Sequence, residues 1–159
     1  GAKQNRALNT TVLLAPNSKT SIPVSCVERG RWNYSSKHFE SRSRTMNANL
    51  RKSKSMSVNQ NLGRTGRFDS DQSEVWNEID RKYVRMSVNP SSTMAMSDIY
   101  ESMKSSSEAY MQTFKPVAAQ IGFIALIDRE IAGMEIINNY EVYAQRHGKI
   151  VNSYVLEAI

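Results

Sequence analysis

GAKQNRALNTTVLLAPNSKTSIPVSCVERGRWNY, residues Gly1–Tyr34, reads as a long β-hairpin with a polar open end. Ala7–Ala15 is rich in Thr, Val and Leu, which suit a pleated, half-buried surface. Ser21–Glu28 alternates Ile22, Val24 and Cys26 with Ser21, Pro23 and Ser25. Between them, Pro16-Asn17-Ser18-Lys19 is a turn: Pro presets φ and Asn bonds back to the backbone. A four-residue loop predicts Leu13 opposite Ile22, Thr11 opposite Val24, Asn9 opposite Cys26 and Ala7 opposite Glu28. With a side-chain period of two, one face then carries Leu13, Ile22 and Val24 near the turn, and Asn9, Cys26 and Glu28 at the open end. A one-residue change in the loop exchanges the faces. Pro23 lacks an N–H, so the second strand is expected at an edge or a bulge.

Polar groups crowd the open end: Lys3, Gln4, Asn5, Arg6, Asn9, Glu28, Arg29 and Arg31, joined by Cys26, Trp32 and Tyr34. Amide, carboxylate, guanidinium, thiol and indole groups converging at one end of a sheet make a candidate ligand site.

The 159 residues suffice for one domain with its own core, and a single domain over 1–159 is expected. Mean hydropathy is −0.53, and no apolar run approaches membrane-spanning length. The single cysteine cannot close an intrachain disulfide, and no secretory signal opens the chain, so a cytoplasmic location is expected. His38 and His147 lack metal-ligand spacing, so no metal is expected. Residues 1–67 hold 13 Lys/Arg against 2 acids, +11; residues 68–159 hold 8 against 13, −5. Either the halves face one another or the basic half meets an anionic partner. Aromatic interleaving is thin, which disfavours nucleic acid against a small anion.

Residues 35–67 are basic and irregular. Leu50, Met56 and Val58 offer a weak helical stripe over Met46–Leu62; the alternative is a mobile basic lid. Ser70–Met86 is predicted as a helix, with Asp71-x-x-Glu74 as a capping box and Val75, Trp76, Ile79, Tyr83 and Met86 on its core face. Ser97–Phe114 follows, capped by Ser97 or Asp98. Ala118–Ile127 and Ile131–Ile137 form a second hairpin, whose apolar QIGFIALI is expected as a central strand. Asn138-x-x-Glu141 opens a last helix carrying Tyr143, His147, Val151, Tyr154 and Val155, with His147 at the core edge or surface. The order of strands, helices, strands and helix argues for α+β: an antiparallel sheet built from two hairpins, packed against three to four helices.

The blocks GAKQNR-x-LNTT-x-L and S-x-IPVSCVE-x-GRW-x-Y resemble the signature of a prokaryotic domain family. That family is named for its association with ADP-ribosylglycohydrolases and rhodanese/phosphatase-superfamily proteins. The resemblance continues through SDQSEVWNEI at Ser70–Ile79, AMSDIYE at Ala95–Glu101 and YVLEA at Tyr154–Ala158. It implies functional weight at Lys3, Gln4, Asn5, Arg6, Asn9, Cys26, Glu28, Gly30, Arg31 and Trp32, and at Asp71, Gln72, Ser97 and Asp98. Similar members carry an acidic, apolar segment before this stretch. Without it the first strand offers an edge to another copy, and a homo-oligomer is expected.

Three functions compete. The first is binding or processing of an anionic nucleotide-derived molecule, related to ADP-ribose or NAD. Arginines would then hold phosphate, Glu28 would act as acid or base, and Cys26 as nucleophile. The second is a noncatalytic oligomerising or protein-interaction module. The third is nucleic-acid binding through the basic segment 42–67. The residues leave the cofactor, and whether the chain is an enzyme, unassigned.

Overall fold

The computed structural model describes residues 4–30 and 44–159. Lys3, Arg31, Trp32 and Tyr34, and the start of the basic segment, lie outside the described residues. Contacts divide the chain into two units. One takes in the described parts of Gly1–Arg42 with Leu50–Ile99; the other takes in those of Ser43–Asn49 with Tyr100–Ile159. The class is α+β, with five helices and two antiparallel two-stranded sheets among the described residues.

In the first unit, β1 (Arg6–Leu8) pairs with β2 (Val24–Cys26). The register is Arg6 to Cys26, Ala7 to Ser25 and Leu8 to Val24. This corrects the expected pairing of Asn9 with Cys26 and Ala7 with Glu28: the strands are offset by three residues from it, and an odd offset exchanges the faces. The Pro16-Asn17 turn does form, with Asn17 at φ 56°, a left-handed conformation that Asn tolerates. Only three residue pairs enter the ladder, however, and Leu13 stands 96 % exposed instead of lining an apolar face. Pro23 lies just before β2, where its carbonyl accepts from Asn9 N–H at 3.0 Å and its missing N–H is not needed.

The outer edge of β2 is closed by other groups. The Gln72 side chain accepts from Cys26 N–H at 2.7 Å and donates to Cys26 C=O at 2.9 Å. A side-chain amide thus stands in for the peptide of a neighbouring strand. Beyond it, Val27 C=O accepts from Met96 N–H at 3.0 Å, Glu28 bridges Ala95, and Gly30 N–H donates to Thr93 C=O at 2.8 Å. That last approach requires glycine, because a Cβ on residue 30 would lie 2.2 Å from the Ser92 carbonyl oxygen.

Helix α1 (Ala48–Thr65) replaces the helix-or-lid alternative with a helix. Leu50, Lys54 and Val58 recur at a spacing of four and are all buried. The Lys54 ammonium meets the Leu8 carbonyl, and burial lowers its pKa. Helix α2 (Gln72–Arg85) starts where the capping pattern predicts: the Asp71 carboxylate accepts from Ser73 and Glu74 N–H. Val75, Ile79 and Tyr83 are buried on its inner face.

The expected single helix over 97–114 is two: α3 (Met96–Ser102) and α4 (Lys104–Thr113), broken at Met103. α3 begins at Met96, so neither Ser97 nor Asp98 precedes it as a cap. Asp98 instead accepts from Ser91 and Tyr83 hydroxyls.

In the second unit, β3 (Gly122–Ile127) pairs with β4 (Glu130–Ile136) around Asp128 and Arg129, both left-handed at φ 52° and 68°. QIGFIALI is not a central strand: among the described residues β3 pairs with β4 alone. One ribbon face packs on α5 (Tyr140–Ala158), where Tyr154 and His147 meet the edge of Phe123. Asn139 caps α5, accepting from Val142 N–H. His147 is buried rather than peripheral, because both ring nitrogens find partners: Tyr143 Oη at 2.8 Å and the Phe114 carbonyl at 2.7 Å.

Candidate functional site

Alternation along the first hairpin sorts its polar side chains onto opposite faces. Val27 N–H donates to Asn5 C=O at 3.1 Å, so the register continues past the ladder. Gln4, Arg6, Cys26 and Glu28 share one face. Asn5, Ala7, Asn9 and Ser25 share the other. The expected convergence of Asn5 and Asn9 with Cys26 and Glu28 is therefore corrected by the same odd offset.

On the second face, Asn9 is fully engaged. It accepts from Ser25 Oγ at 2.5 Å and donates to Phe68 C=O at 3.0 Å. Ser25, wholly buried, also contacts Ser70 Oγ at 2.6 Å. This is a structural clasp between the hairpin and the entry to α2.

The first face is organised around the Cys26 sulfur. Arg6 and Cys26 are directly opposite across the ladder. Cys26 Sγ donates to Gln4 Oε1 at 3.0 Å and lies 3.3 Å from Glu28 C=O. Helix α2 brings up the other wall with one residue per turn. Gln72 holds the Cys26 backbone, Trp76 follows four residues on, and Asp80 four further. Asp80 accepts from Arg29 at 2.8 Å, and the Arg29 guanidinium sits 5.7 Å from the Trp76 ring centre.

Two buried donors on this face meet no oxygen acceptor among the described residues. Gln4 is 7 % exposed; its Oε1 takes the thiol proton, and its Nε2 makes no hydrogen bond. The buried Trp76 indole N–H meets no oxygen acceptor among the described residues and faces only the Cys26 sulfur, where it favours the thiolate. Burying an unpaired N–H costs about 1–3 kcal/mol. Asn5 Nδ2 is unpaired too, but lies on the opposite face.

Burial raises the Cys26 thiol pKa above its ordinary value, and the Glu28 carboxylate adds to the rise. The Glu28 backbone, Arg6 and Trp76 oppose it without reversing it. The resting group is therefore a protonated thiol. Because only the thiolate attacks, Cys26 is expected to alkylate with iodoacetamide at pH 8 at least ~5-fold more slowly than free cysteine. The rate should climb above pH 9, where free cysteine has levelled off. A rate matching free cysteine at pH 8 would contradict the environment described.

Glu28 is 2 % exposed and accepts from the Asn5 backbone N–H at 2.5 Å. Asp71 caps α2, Gln72 braces β2, and Ser97 and Asp98 lie at the start of α3. These four are not brought to the sulfur as side chains open to a ligand. Trp76, assigned to the core from its apolar neighbours, belongs to this face instead. Its position four residues after Gln72 is the signal that could have found it.

Among the described residues the basic segment forms no stripe. Along α1, Arg51, Lys52, Lys54 and Arg64 fall on different sides at 100° per residue, and Lys54 is turned inward. Among the described residues no His, Cys, Asp and Glu group could hold a metal ion, and no helix is long and apolar enough to cross a membrane.

A sequence model of the ARPP-1 domain, the ARG and Rhodanese-Phosphatase-superfamily-associated Protein domain, matches residues 1–159. The chain belongs to the ARPP-1 family. No curated protein and no solved structure matches it. The ARPP-1 match spans both units, so the hairpin, the α2 wall and the β3–β4 ribbon all fall within the family's domain.

Proposed function

We propose that this ARPP-1 domain binds an acceptor-rich anionic small molecule of the ADP-ribose or NAD class on the sulfur face of the first hairpin. The observation that carries this reading is the pair of buried donors near Cys26 that meet no oxygen acceptor among the described residues, Gln4 Nε2 and Trp76 Nε1. Ligand oxygens supply the acceptors these groups lack and offset their desolvation. Arg6, exposed on the same face, adds a cation suited to phosphate. The family's association with ARG proteins, read as ADP-ribosylglycohydrolases, supports a phosphate- and ribose-bearing ligand.

Cys26 and Glu28 are the groups available for chemistry. With the thiol protonated and the carboxylate holding Asn5 N–H, binding is better supported than turnover. Isothermal titration with ADP-ribose and with NAD tests this. Saturable heat is expected with one of them, and Gln4→Leu should weaken it about tenfold, the loss of one hydrogen bond worth about 1.4 kcal/mol. Absence of heat with both ligands at millimolar concentration overturns the proposal.

A further inference from the structure

The β3–β4 ribbon has one face on α5 and one face open. On the open face stand Ile124 and Leu126 from β3, and Ile131, Met134 and Ile136 from β4, each 56–73 % exposed. The register makes these neighbours: Ile124 pairs with Met134, Leu126 with Ile131, and Gly122 with Ile136. A bulge between Ala125 and Leu126 keeps Ile131 in line with the others despite the extra residue, Ala132. No charged side chain interrupts them. Glu135 is on the other face, accepting from Tyr154 Oη at 2.9 Å, and Glu130 sits at the turn. Five such side chains expose roughly 600 Å² of apolar surface, at the upper limit for a free monomer surface. The same area approaches the ~800 Å² that each partner buries in a stable interface.

Beside β3 a groove of about 270 Å³ runs between the ribbon and helices α4 and α5, lined by Phe123, Ile124, Leu126, Phe114, Lys115 and Val151. It borders the open face without belonging to it. A two-fold axis running along the ribbon lays β4 of each copy over β3 of the other. The same five side chains then meet their own counterparts, as an isologous contact requires.

We infer that the open face of the β3–β4 ribbon is a self-association surface that seats a second copy of this chain face to face. The face carries no charge with which to recognise nucleic acid, an anionic membrane or a charged peptide. Its five side chains are uncharged and apolar, their area is close to interface size, and a two-fold sets the same patch against itself. The contact is independent of the sulfur face of the first hairpin.

Sedimentation equilibrium of the full chain from 1 to 200 µM tests the inference. A dimer is expected. Met134→Glu, at a position already solvent-facing in the single chain, should leave the circular dichroism spectrum unchanged. It should raise the dimer dissociation constant at least ~100-fold, because the two-fold buries two carboxylates at once. Val84→Glu, on the exposed side of α2, should leave the dimer intact. Hydrogen exchange of wild-type chain should show amides of 122–136 better protected at 200 than at 1 µM. A wild-type monomer at every concentration, including one that captures a different protein through this face, would overturn the inference. So would a Met134→Glu dimer as tight as wild type, or exchange in the ribbon that ignores concentration.

Discussion

Glu28→Ala is expected to lower stability by about 3 kcal/mol, read as a fall in the urea midpoint at unchanged slope. The carboxylate is almost fully buried and accepts the Asn5 backbone N–H. Alanine leaves that N–H without its acceptor and opens a void where β1 and β2 separate. Hydrogen bonds to charged groups contribute about 1.5–3 kcal/mol, and the lost side-chain volume adds to this. Glu28→Gln keeps an acceptor oxygen and nearly all the volume, so it should recover more than half of the loss. A loss below about 1 kcal/mol for alanine would show that the carboxylate does not fasten the open end of the hairpin.

His147→Ala is expected to cost about 4 kcal/mol, this time in the second unit. The Phe114 carbonyl can only accept, so Nε2 carries the proton and Nδ1 accepts from Tyr143 O–H. Removal of the ring orphans a hydroxyl on a fully buried tyrosine and a carbonyl at the end of α4. It also removes edge contacts to Phe123 and Tyr143, with ring centres 6.4 and 5.3 Å away. Tyr143→Phe spares the packing and one of the two hydrogen bonds, and should cost about 1 kcal/mol. Equal losses for the two variants would contradict this division between packing and hydrogen bonding.

Local chemistry was legible before the fold was known. The Asp71 cap, the Pro16-Asn17 turn and the apolar stripe of α5 are written in neighbouring residues, and all formed; of the α2 stripe, Val75, Ile79 and Tyr83 are buried while Trp76 and Met86 are not. The register of the first hairpin was not legible, because its turn is joined to the ladder by a long unpaired segment. Turn type therefore did not determine pairing, and the parity error moved Asn5 and Asn9 away from the sulfur. The second hairpin was legible in extent but not in setting. A continuous apolar strand reads as central, whereas here the apolar alternate residues of β3 are open to solvent. Gln72 stood out in the family blocks, yet its role as a surrogate strand emerges only when α2 is laid along β2. Trp76 was hidden for the opposite reason: its sequence neighbours are core residues, while its N–H reaches the thiol side.

The most direct measurement is the indole N–H resonance of Trp76, told apart from that of Trp32 by its loss in Trp76→Phe, during titration with ADP-ribose and NAD. If ligand oxygens complete the unpaired donors beside Cys26, this resonance shifts saturably, and the Gln4 side-chain amide shifts with the same midpoint. If both stay fixed to millimolar ligand while the protein remains folded, the sulfur face of the hairpin is not a binding site for this class of molecule.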